Sequence, residues 1–228
     1  MCRAAPLGLV LLALAGGCGA QPPAPASDAS ATTGPAVGRV IAALGDSITA
    51  GSPLWDPDPA TRGQIAEPDE QSQFEYWAAR GDDVSFRNCG VFGERTDEIA
   101  TRLDECTAGA DALIVQGGIN DIAQGRPVTE AARDLDAMVA RGLEIGLDTT
   151  IVEVLPWNNG YPDADPEIVA LNKAIARIGE RRGVEVLPFY SALEDPAAPG
   201  RMAADLTIDG DHPSVEGYRE LSELVPIR

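Results

Sequence analysis

Five short apolar runs punctuate the chain, with amphipathic stretches of helical period lying between them. The runs are Arg39–Leu44, Asp83–Arg87, Ala112–Gln116, Thr149–Leu155 and Val184–Phe189. They are apolar and rich in β-branched residues, as strands buried on both faces are. Among the intervening stretches, Thr96–Glu105 places Ile99 and Leu103 four residues apart. Thr129–Ile145 carries Leu135, Met138, Val139 and Leu143, and Pro166–Arg182 carries Ile168, Leu171, Ile175 and Ile178. Ser214–Leu224 closes the chain. Each spacing predicts a helix with one face turned to a core. Strands alternating with helices predict an α/β protein of three layers, α/β/α, around a five-stranded parallel sheet. In such sheets the loops after the strand C-termini form the working edge.

The segment before the first run is of another kind. Arg3 precedes an apolar stretch from Leu7 to Ala15, then Gly16, Gly17 and Cys18. A short charged region followed by a short apolar one predicts an export signal over residues 1–17. The stretch is too short to span a bilayer as a helix. Small residues before Cys18 resemble the bacterial lipoprotein signal, in which that cysteine is lipidated, with Ala15 standing where Leu is usual. Plain secretion with cleavage after Ala20 is the alternative. Residues 18–36 are mostly Pro, Ala, Ser, Thr and Gly, which cannot build a core and predict a disordered tether. Residues 37–228 form the expected globular domain.

Charge excludes several functions. With 17 Lys+Arg against 36 Asp+Glu the net charge is −19, which opposes binding to nucleic acid or to anionic lipid. Any membrane contact is expected only through a lipid on Cys18. The chain has one histidine, His212, so a His-cluster metal site cannot be built.

Four polar segments fall at expected strand or helix ends. Gly45-Asp46-Ser47-Ile48-Thr49 follows the first strand, and Asn88-Cys89-Gly90-Val91-Phe92-Gly93-Glu94-Arg95-Thr96 follows the second. Gly117-Gly118-Ile119-Asn120-Asp121 follows the third, and Asp209-Gly210-Asp211-His212-Pro213 precedes the last helix. Together they resemble the SGNH hydrolases, also called the GDSL esterase/lipase family. Ser47, Gly93, Asn120 and His212 match that family's four named residues, and the resemblance runs from the first strand to the last helix. It implies a flavodoxin-like sheet and a serine esterase that needs no metal or organic cofactor.

The residue chemistry is consistent with this. A serine hydroxyl needs a base, and His212 is the one imidazole available to Ser47. That imidazole needs an acceptor on its other nitrogen. Asp209, three residues back, is favoured, partly because the family's DxxH motif falls there, and Asp211 is expected to point elsewhere. The oxyanion hole is expected from the backbone N–H groups of Ser47 and Gly93 and the side-chain amide of Asn120. Asp121 is read as structural. Each residue also has a plainer reading: Ser47 as a helix N-cap, Gly93 as a turn glycine, Asn120 as a turn or cap residue, and His212 as an ordinary polar residue. A GxSxG elbow is absent, which argues against an ordinary α/β-hydrolase.

Trp55, Phe92 and Trp157 should face the active edge, where they could hold a short acyl chain or a sugar or simply seal the sheet end. Residues 56–71 are expected to form an irregular flap beside the site. Cys89 and Cys106 would be a natural disulfide in an exported protein. The expected topology opposes it, because ten helical residues span about 15 Å and a disulfide needs Cα atoms within about 7 Å. The expected substrate is a small-molecule or glycan-linked ester. Transfer of the acyl group to polysaccharide and a non-catalytic binding lipoprotein are the rivals, and oligomeric state leaves no signal.

Overall fold

The computed structural model describes residues 38–79 and 83–227. The expected signal, the Cys18 lipidation site and the tether lie outside the described residues. No described helix is long and apolar enough to cross a membrane.

The chain runs through β1 (Arg39–Gly45), α1 (Ser47–Ala50), α2 (Pro59–Arg62), α3 (Phe74–Ala78) and β2 (Val84–Gly90). Next come α4 (Thr96–Ala100), α5 (Leu103–Cys106), β3 (Ala112–Val115), α6 (Ile119–Ala123) and α7 (Val128–Glu144). It ends with β4 (Asp148–Val152), α8 (Asp165–Arg182), β5 (Glu185–Leu187), α9 (Phe189–Leu193) and α10 (Val215–Ser222). The strands form one five-stranded sheet in the order β2-β1-β3-β4-β5, and every neighbouring pair is parallel.

Successive strand residues point to opposite faces, and that period of two sorts the core into two layers. Ala42, Leu44, Leu113, Val115 and Ile151 pack with Ile99, Leu103, Leu135, Met138, Ile168, Leu171, Ile175 and Ile178. Ile41, Ala43, Ala112, Ile114 and Val152 pack on the other side with Phe74, Phe189, Tyr218 and Leu221. Helices α4, α5, α7 and α8 therefore cover one face, and α3, α9 and α10 the other. Each fully buried Leu or Ile contributes about 1.5–3 kcal/mol. The stripe expected on α8 is buried throughout. On α7, Leu143 is instead exposed and Gly142 takes the buried position.

Two strands end sooner than the apolar runs suggest. Beyond β4, Val154 N–H donates to Asn172 Oδ1 at 2.8 Å and Asn172 Nδ2 donates to Val154 O at 2.9 Å. A side chain of α8 thus replaces the sheet partner. After β5, Pro188 has no N–H to offer, and α9 begins at the next residue.

The argument against a disulfide is overturned: Cys89 and Cys106 are bonded, with Cα atoms 6.1 Å apart. The expected helix over 96–105 is not continuous. Thr101 N–H and Arg102 N–H reach back only three residues, to Glu98 O and Ile99 O, so the axis breaks between α4 and α5. Arg87 Nη1 donates to Cys106 O at 2.6 Å, and Arg102 Nη1 donates to Cys89 O at 2.6 Å. These bonds hold α5 against the edge strand β2. Replacing both cysteines with alanine removes a closure spanning 17 residues. The expected loss is about 3 kcal/mol of unfolding free energy, measured by urea titration.

Candidate active site

Strand β1 lies between β2 and β3, so the chain leaves it to one side for β2 and returns on the other for β3. That divergence opens a crevice at the C-terminal end of β1, and Ser47 stands there as the first residue of α1. Asp46 caps the helix, its Oδ1 accepting from Ile48 N–H at 3.0 Å. Gln116, just past β3, grips the turn from beneath: its Oε1 accepts from Asp46 N–H at 3.1 Å and from Thr49 Oγ1 at 2.8 Å. The turn packs so closely that a Cβ on Gly45 would come within 2.2 Å of Thr49 Oγ1.

His212 is brought to Ser47 by the loop before α10. Its Nε2 lies 3.1 Å from Ser47 Oγ, and its Nδ1 lies 2.8 Å from Asp209 Oδ2. A carboxylate can only accept, so Nδ1 carries the proton and Nε2 faces the serine as an acceptor. Asp209 Oδ1 also accepts the backbone N–H groups of His212 at 2.7 Å and Asp211 at 2.8 Å. Burial pushes the Asp209 carboxyl up, but the hydrogen bonds from His212 and Asp211 outweigh it and hold the group below its ordinary range. Thr207 Oγ1 donates to His212 O at 2.8 Å, tying the loop closed.

The opposite wall comes from α6 and the loop after β2. Gly93 has φ +80°, which glycine adopts without strain, and open space lies where its Cβ would be. Asn120 Nδ2 donates to Glu94 O at 3.0 Å, and Gln124 Nε2 donates to Gly93 O at 3.0 Å. Two side chains of α6 and its C-cap thus hold the glycine loop. Asp121 is fully buried and accepts from Thr96 N–H and Thr96 Oγ1, both at 2.9 Å, and from Arg126. It bolts α4 to α6, a structural role. Among the described residues, no acceptor faces the backbone N–H of Ser47 or of Gly93.

A cavity of about 190 Å³ opens here, lined by Ser47, Phe92, Asn120, Trp157, Asp211 and His212, with Ile48, Ile119 and Ala123 completing the wall. Larger hollows occur beside Trp77 and Arg219, about 470 Å³, and beside the disulfide, about 380 Å³, but neither has a nucleophile next to a base. Phe92 and Trp157 lie where the sequence places them. Trp55 does not: its N–H bonds back to Gly51 O at 2.9 Å, and the Arg62 guanidinium covers its ring at 4.5 Å. None of residues 56–71 lines the cavity, and that segment contains the helical turn α2. Asp211 points away from the His212 ring, as expected, bonding Trp157 and Asn159, and it forms part of the wall. Ala123, four residues beyond Ile119 on α6, lies outside the Gly-Gly-Ile-Asn-Asp motif and carries no signal of its own in the sequence. A polar Gln116 ending an apolar run was the visible sign of the grip on the serine turn. Asp209, Asp211 and His212 place donor atoms within 4.8 Å of one another, the spacing of a metal site. Hydrogen bonds already account for the arrangement of all three.

Residues 43–220 match the model of the GDSL-like lipase/acylhydrolase family. The chain belongs to that family, as the four motifs implied, and membership supports an ester-hydrolase function. Among solved structures, the lipase/acylhydrolase from Enterococcus faecalis is 24% identical with a TM-score of 0.64, covering 82% of this chain and 92% of its own. A GDSL-like lipase from Bacteroides thetaiotaomicron is 18% identical with a TM-score of 0.65, covering 82% and 85%. A member of the lipolytic G-D-S-L family from Veillonella parvula is 21% identical with a TM-score of 0.62, covering 81% and 94%. These likenesses establish the three-layer fold. No curated protein matches the chain.

Behind the serine turn lie three buried acids that the site's hydrogen bonds leave incomplete. Among the described residues, Asp46 Oδ2, both Glu75 carboxylate oxygens and Tyr218 Oη have no hydrogen-bond partner. Burial raises Asp46 to about 6, and it raises Glu75 and Tyr218 well above their ordinary values. The folded chain therefore keeps a proton on Glu75 that the unfolded chain releases above the ordinary glutamate range. This contribution to stability is complete below that range and falls as pH rises toward the raised folded value. Glu75→Gln removes the titration. Its thermal midpoint should gain on the parent's as pH goes from about 5 to about 8. A constant gap would show that Glu75 does not bury a proton.

Proposed function

We propose that this chain is a serine esterase acting on carboxylic esters through Ser47, His212 and Asp209. One observation carries the reading: Asp209, His212 and Ser47 lie in an unbroken line of hydrogen bonds that ends at a cavity edged by Asn120. His212 Nε2 takes the Ser47 proton as Oγ attacks the ester carbonyl. The N–H groups of Ser47 and Gly93 and the Asn120 amide receive the oxyanion. Asp209 holds the ring and stabilises the imidazolium. Collapse expels the alcohol, which takes the proton from His212. Water, deprotonated by His212, then releases the acid and restores the serine. The cavity is smaller than the usual range for ligand sites, about 300–1,000 Å³, and favours a short acyl group, free or carbohydrate-linked.

Acyl transfer to a sugar hydroxyl would use the same acyl-enzyme, and product analysis with and without a glycan acceptor separates the two outcomes. The proposed setting is outside the cytoplasm, with the domain anchored through a lipid on Cys18 or freely secreted.

Ser47→Ala should abolish hydrolysis of p-nitrophenyl acetate and labelling by a fluorophosphonate, and retention of either at the parent level sinks the reading. Asn120→Ala should lower kcat by about 10²–10³. Asp209→Asn should lower it by about 10⁴.

A further inference from the structure

Asp211 is a carboxylate in the cavity wall that the esterase chemistry does not use. Its Oδ1 is tethered twice, accepting from Trp157 Nε1 at 2.5 Å and from Asn159 Nδ2 at 2.6 Å. Its backbone N–H is fixed to Asp209 Oδ1. Among the described residues, the other oxygen, Oδ2, has no partner and Asp211 makes no ion pair. Among the described residues, no Lys or Arg lines the cavity. Two aromatic residues line the same cavity. Trp157 is bonded to the carboxylate, and Phe92, 63% exposed, lies stacked on His212 with ring centroids 6.2 Å apart.

The side-chain donors beside Asp211 are already engaged. The Trp157 N–H is committed to Asp211. Asn159 Nδ2 is committed to both Asp209 O and Asp211 Oδ1. What these side chains offer is an anionic oxygen together with the Trp157 and Phe92 rings in the same wall. A sugar would need donors as well as acceptors, whereas a cation needs only negative charge and π-faces. The position also indicates which half of the substrate carries the charge. His212 returns its proton to the leaving alcohol, and Asp211 is its chain neighbour. The Asn120 wall, on the oxyanion side, lies opposite.

We infer that the site selects esters whose alcohol carries a fixed positive charge, such as a quaternary ammonium, and that Asp211 is the specificity-determining residue. The inference rests on the esterase reading of Ser47 and His212. Water cleaves the acyl–oxygen bond, yielding the carboxylic acid and the free cationic alcohol, with no other reactant.

The test compares acetylcholine with 3,3-dimethylbutyl acetate, in which carbon replaces the charged nitrogen in the same shape. The full chain should show kcat/KM at least about tenfold higher for the cationic ester, with the ratio shrinking as salt is added. Asp211→Asn, which keeps an acceptor for Trp157, should bring the ratio down to roughly one to threefold. A ratio near one in the parent overturns the inference. So does a ratio that survives intact in Asp211→Asn, or an acetylated sugar that outperforms the choline ester. Hydrolysis of p-nitrophenyl acetate by the parent in each of those cases leaves the esterase reading standing. Failure of the parent on every ester removes that reading and the inference with it.

Discussion

Everything at the site depends on β1 being buried on both faces and on both edges. Ile41 through Gly45 are all buried, with β2 hydrogen-bonded on one side and β3 on the other. A strand so enclosed must be apolar along its length, and it can turn polar only where it emerges. It emerges at Asp46 and Ser47. Because β2 and β3 diverge from this strand, the space above it stays open. The same enclosure forces glycine at Gly45 and Gly90, where a Cβ would collide with Thr49 or with the backbone of Ala50.

The rest of the site is held by side chains acting as ties between loops that are far apart in sequence. Gln116 fastens the serine turn to the end of β3. Asp121 fastens α4 to α6, and Gln124 and Asn120 fasten the glycine loop to α6. Asn158 joins the loop after β4 to the segment before the histidine loop, donating to Met202 O at 3.1 Å and accepting from Met202 N–H at 2.7 Å. Apart from Asn120, whose amide also receives the oxyanion, none of these residues performs chemistry in the proposed mechanism. They set where the reacting atoms stand, and the reacting geometry tolerates little displacement.

Legibility in the sequence followed the range of the interaction. Period-two and period-3.6 patterns are local, so the strands, α7 and α8 could be read to within a few residues. Asp209 and His212 are three apart, and one turn brings them together, so their pairing could be read too. Ser47 meets His212 across 165 positions. That meeting was legible only because four motifs in order matched a family. Trp55 was misplaced because its direction depends on Arg62 and on a turn at Gly51, neither of which has a periodic signature. The disulfide is not legible in the sequence because three-residue hydrogen bonds break the helix that the spacing predicts. The carboxylate of Asp211 faces the cavity because Trp157 and Asn159, more than fifty residues away, capture one of its oxygens.

The sequence by itself determined the class of fold, the order of the strands and helices along the chain, and the identity of the residues able to act as nucleophile, base and orienter. Fold class and element order rest on short-range period, which a linear chain displays directly, and the nucleophile, base and orienter rest on the four motifs that match the family. Tertiary structure alone decided the crosslink, the walls of the cavity and the partners that fix each loop. These depend on which side chains meet after β1, β2 and β3 have paired. Such meetings are set by packing and donor–acceptor geometry across long separations, and neighbours in the sequence carry no record of them.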